Sequence, residues 1–118
     1  MDPAGSWCPS ETEVWVAVFL LDLFAGILSF FKGISFPEKY DWEMKLKFLL
    51  GLYEPETALF CRKNIRPGMK VIDIGAHIGY FSILFAKLVG KKGAVFAFEP
   101  EPENLALLRQ NTKRYVNI

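Results

Sequence analysis

The run VIDIGAHIGY, residues 71–80, decides the fold. Its first four residues are apolar and largely β-branched around one acid, which predicts a strand buried on both faces in a parallel sheet. After Asp73 and Ile74 the chain breaks into a turn that carries Gly75 and Gly79. From Tyr80 to Leu88 it is almost wholly apolar, the pattern of a helix packed into a core. Strand, glycine turn, helix is the opening of a βαβ nucleotide-binding unit. In such a unit Gly75 takes a positive φ and lets backbone approach a ligand, while Gly79 lets the helix start lie tight against the strand.

The spacing narrows the choice of nucleotide. A dinucleotide fold carries G-x-G-x-x-G after the strand, with backbone N–H groups aimed at a pyrophosphate. Here the pattern is Asp73-x-Gly75-x-x-x-Gly79, and an acid in the mouth repels a diphosphate but suits a cation. A second apolar run, AVFAF at 94–98, follows the turn GKKG and ends at Glu99-Pro100. An acid at the tip of a second strand reaches the two ribose hydroxyls of an adenosine. A ribose, a positive centre and no phosphate describe S-adenosylmethionine. The alternative is a nicotinamide-dependent oxidoreductase with an unusual glycine loop, which the Asp73 pattern disfavours.

The longer run VIDIGAHIGYFSILFAKLVGKKGAVFAFEPEPENLALLRQN resembles the opening of FkbM-family methyltransferases, and the upstream GLYEPETALFCRKNIRPGM resembles that family's lead-in. The resemblance covers roughly residues 51–118. It implies an α/β protein, the N-terminal part of a Rossmann-like class I methyltransferase fold, with S-adenosylmethionine as cofactor. It also implies methyl transfer to oxygen of a small molecule, sugar or lipid. Asp73 would lie near the methionine half of the cofactor and Glu99 at the ribose. Gly75, Ala76, His77 and Gly79 form the loop over the cofactor, and Pro100 flanks Glu99 where the adenine would lie. His77 departs from the asparagine most usual at its position. No catalytic residue is assigned, because the acceptor side of such enzymes is built from later segments, and no metal is expected.

Composition sets the outer bounds. The chain has 118 residues, room for one domain, and 52% of them are hydrophobic, with 11 Phe. A net charge of +1 from Lys and Arg scattered among acids gives no electrostatic case for nucleic acid. Cys8 and Cys61 show no metal spacing and read as free thiols of a reducing compartment.

Residues 1–13 read as a polar leader without the basic start of a secretory signal. Residues 14–31, VWVAVFLLDLFAGILSFF, carry one charge, Asp22. As a helix they span about 27 Å, marginal against a bilayer core of about 30 Å. Asp22, Gly26, Ser29 and Gly33 fall on one helix face, a small-residue stripe suited to close packing against another helix. Two readings stand side by side: a membrane anchor, with the lysines after it placing the remaining chain in the cytoplasm, and a helix packed on its own domain or a second subunit. Oligomeric state is left open. Within 14–50 a lead-in helix is expected from an Asp41 N-cap to a stop at Gly51, with Glu43 and Lys47 paired. Pro55 opens another helix to about Asn64, and Glu103 to about Arg114 reads as the last.

Residues 51–118 supply two strands where such a methyltransferase needs about seven, and RYVNI reads as the approach to a third. The expectation is therefore the first half of a cofactor domain from a longer protein, inactive alone, with Phe81, Leu84, Phe96 and Phe98 left open. A non-catalytic interaction module is the remaining alternative.

Overall fold

A computed structural model describes residues 10–118. Cys8 and the first nine residues of the polar leader lie outside the described residues. The elements run α1 (Glu11–Lys32), α2 (Trp42–Leu50), α3 (Pro55–Asn64), β1 (Lys70–Ile74), α4 (Tyr80–Val89), β2 (Ala94–Phe98) and α5 (Pro102–Thr112). The helix α1 starts inside the stretch read as leader, because Ser10 and Glu13 form a reciprocal capping box that satisfies its first amides. Asp41 caps α2 through the Met44 amide at 2.8 Å, and Gly51 ends it in the left-handed region. The Lys47–Glu43 pair forms at 2.7 Å.

Strands β1 and β2 pair in parallel, Val71 opposite Val95 and Asp73 opposite Ala97. One face of this sheet carries the core: Val95 packs with Ala58 of α3 and with Leu84, Phe85, Ala86 and Val89 of α4. The other face is open. Ile72, Ile74, Phe96 and Phe98 alternate along the two strands at 63, 85, 48 and 57% exposure. The expectation of a strand buried on both faces is thus met on one. Leu84, expected to be exposed, is buried, and Phe81 packs against the core, since both belong to the helix that covers the closed face. On the far edge of β2 the Val95 amide donates to the Asn117 carbonyl at 2.7 Å, so RYVNI does come alongside β2.

The small-residue stripe of α1 divides. Asp22 pairs with Lys45 of α2 at 2.9 Å, and Ala25 beside it is fully buried. A side chain at Gly26, by contrast, would meet nothing within 4 Å. Packing on α2 therefore uses the Asp22–Ala25 side of α1 and leaves Gly26 at the margin.

Candidate functional site

The glycine turn sits at the carboxyl ends of both strands. Gly75 and Ala76 both donate their amides to the Phe98 carbonyl, at 2.9 and 3.0 Å, which locks the turn onto the tip of β2. Gly75 has φ +78°, and a Cβ there would point into open space, so what glycine supplies is backbone conformation and approach room. Gly79 does a different job from the one its spacing suggests. A Cβ on it would stand 2.8 Å from Leu108 and 3.2 Å from Thr112, so it admits α5 rather than β1.

Asp73 is half-buried at the end of β1 and accepts a 2.6 Å hydrogen bond from the buried Ser82 hydroxyl of α4. Burial pushes its carboxyl above the ordinary value of 3.8, and the Ser82 bond only partly offsets that. A desolvated carboxylate is favoured by a cation brought beside it. The start of α4 has Gly79 at its cap and no side-chain cap bond, so Asp73 does not cap the helix, and its positive end faces the turn.

Glu99 closes the other side. One of its carboxylate oxygens accepts the His77 amide at 2.8 Å and the other the Glu101 amide at 2.9 Å. These amides, Glu101 foremost, hold its carboxyl below the usual glutamate range. The Asn104 side chain bonds it as well, and of a carboxylate's about four acceptor positions roughly one remains for a ligand. His77 itself has φ +53°, a costly conformation for a side chain with Cβ, held by the Glu99 bond. Its ring lies 3.3–3.4 Å from the Tyr40 hydroxyl. Pro100 follows at the exposed end of β2.

A cleft of about 110 Å³ opens at this turn, lined by Asp73, Gly75, Ala76, His77 and a second acid, Glu54, together with the rings of Phe48, Tyr53, Tyr80 and Phe81. Gly79, Glu99 and Pro100 lie outside its lining, and Glu99 is joined to it through His77. Acid beside aromatic faces is an environment for a positively charged group. Three contributors escaped the sequence. Ser82 was legible only as a small hydroxyl in an apolar helix. Tyr40 and Asn111 gave no local signal. Asn111, 1% exposed, accepts the Ser35 amide and donates to the carbonyls of Ser35 and Ile78, tying the segment before α2 to the glycine turn. Among the described residues no group of three or more His, Cys, Asp or Glu is placed to hold a metal ion.

With an acid, an open glycine turn and a strand-tip glutamate in place, comparison with known proteins finds methyltransferases similar to this stretch. Residues 73–117 match the methyltransferase FkbM domain. The chain is 49% identical over 52 residues to the 31-O-demethyl-FK506 methyltransferase FkbM of Streptomyces tacrolimicus, 44% of this chain and 20% of that protein. It is 39% identical over 51 residues to a protein-L-isoaspartate O-methyltransferase of Methanothrix thermoacetophila, 43% of this chain and 24% of that protein. It is 28% identical over 78 residues to the tRNA (adenine(58)-N(1))-methyltransferase TrmI of Thermus thermophilus, 66% of this chain and 31% of that protein. The matched stretches thus span at most about a third of these relatives. The parallel pair β1–β2 with α4 between is the opening unit of their class I methyltransferase fold. The expectation that nucleic acid is no partner finds no support in a group that includes a tRNA methyltransferase.

Proposed function

We propose that the protein binds S-adenosylmethionine at the turn 73–79 and at Glu99, as the cofactor half of a methyltransferase. The observation that carries this reading is the pairing of a desolvated carboxylate, Asp73, with a carboxylate at the neighbouring strand tip that keeps about one acceptor position free. The cofactor supplies a methyl group on a sulfonium, already an activated leaving group. The residues of this chain bind and orient. Asp73, relieved of its desolvation cost by a cation, takes the ammonium of the methionine half. The open N-terminus of α4 favours that half's carboxylate. Glu99 takes the ribose hydroxyls, and the bare backbone of Gly75 lets the ligand approach. The acceptor is proposed to be an oxygen of a small molecule, sugar or lipid, by likeness to the FkbM relative alone.

The test is a pair of substitutions at one strand tip. Glu99→Ala removes a charge-assisted bond worth about 1.5–3 kcal/mol, or roughly 10- to 150-fold in affinity for S-adenosylhomocysteine. Glu101→Ala, whose backbone but not side chain meets Glu99, is expected to change affinity less than about 3-fold. Equal effects in calorimetry would remove the ribose role from Glu99.

A further inference from the structure

A second, larger cavity of about 570 Å³ lies between the C-terminal ends of α1 and α2, Arg62 of α3 and one face of α4. That face presents Tyr80, Ile83, Leu84 and Lys87, the i, i+3, i+4, i+7 set of a single helix stripe. The volume falls in the range of small-molecule sites. Four cations line it, Lys32, Arg62, Lys87 and Arg114, and no acid does. This is a local excess of four in a chain whose net charge is +1.

None of the four takes part in the ion pairs found among the described residues, Lys45–Asp22 and Lys47–Glu43. Two are held in place at the rim by helix ends. Lys32 donates to the Leu49 carbonyl at the close of α2, and Arg114 donates to the Lys32 carbonyl at the close of α1. Both keep further N–H groups for a ligand. The charge of Arg62 reaches the Tyr80 hydroxyl and opposes the upward push of burial on it. Behind the cations the lining is apolar, with Phe48, Leu49 and Leu84 buried. Four cations over an apolar floor, Lys32 and Arg114 held by helix ends and no carboxylate in the lining to compete, suit a dianion attached to an apolar body.

We infer that this cavity binds a phosphate monoester with an apolar body. The site is separate from the cleft at Asp73 and shares only Phe48 and Tyr80 with it. The inference does not depend on the cofactor reading.

Hexyl phosphate, titrated into the whole chain by calorimetry, is the probe. Saturable binding is expected, at least about 10-fold tighter than inorganic phosphate, with no saturable binding of hexanol. Arg62→Gln with Lys87→Gln should weaken hexyl phosphate at least about 10-fold. Lys91→Gln with Lys92→Gln, an equal loss of charge in the turn before β2, should change it less than about 2-fold. All four side chains are exposed, so neither pair disturbs the core. Equal weakening by the two pairs, or hexanol binding as tightly as hexyl phosphate, would overturn the inference. Flotation with phosphatidic acid vesicles that the Arg62, Lys87 variant loses assigns the phosphate to a lipid headgroup. Without such a loss it belongs to a soluble ester.

Discussion

Asp73 pulls stability and binding in opposite directions. Burial raises its pKa in the folded chain above 3.8, so the folded state holds its proton to higher pH than the unfolded state. The associated stability is fully present below 3.8 and is lost as pH rises through the folded value. Once ionised, Asp73 is a negative charge stripped of part of its water. Asp73→Asn keeps an acceptor for Ser82 and removes that charge. It is expected to raise the melting temperature at pH 7 while weakening S-adenosylhomocysteine about 10-fold or more, and to remove the Asp73 share of the acidic-range slope in stability while leaving that of Glu99. A variant that melts lower and binds as tightly would make Asp73 a structural carboxylate. Glu99 runs the other way: its lowered pKa contributes stability above the ordinary 4.5 that is lost as pH falls through the folded value.

Among the elements, α1 shows what a pattern of residue types can and cannot say. Its apolar length was plain from residues 14–31, and its mean hydropathy of 2.0 makes it long and apolar enough to cross a membrane by composition. Which side packs was not plain, because apolar residues surround the whole helix. The structure separates them: Ala25 is fully buried, whereas Phe19 and Phe24 are 67 and 53% exposed. Ala25→Leu overpacks the contact with α2 and is expected to cost about 1–3 kcal/mol. Phe19→Gln with Phe24→Gln should stay within about 0.5 kcal/mol per site, as surface changes do. Denaturant melts of both variants give the order directly, and the reverse order would mean that the outer face of α1 is covered in solution. The strand β1 has the same ambiguity, since apolar residues at Val71, Ile72 and Ile74 fall on both faces and do not reveal that Ile72 and Ile74 face outward.

At the scale of the molecule, what the sequence makes legible is what is local. Strand, turn, helix and second strand follow one another within residues 70–98, and each carries its own signal in spacing, glycine or β-branching. The long-range contacts that shape the site carry none. Asn111 meets Ser35 across 76 positions, and Tyr40 meets His77 across 37. Shape follows the same division. The radius of gyration is 18.0 Å, against about 13 Å for a compact chain of this length, with extents of 62 × 29 × 25 Å. The excess reflects α1, a helix of about 33 Å whose apolar stretch is only 6% buried.

The proposed function requires the turn after β1 to receive a phosphate-free cationic adenosine rather than a dinucleotide. Calorimetry of the whole chain with S-adenosylmethionine and with NAD, under one buffer, tests it most directly. S-adenosylmethionine is expected to bind at least about 10-fold more tightly, with an affinity that rises as pH climbs through the titration of Asp73. NAD binding as tightly as S-adenosylmethionine, or more so, would contradict it.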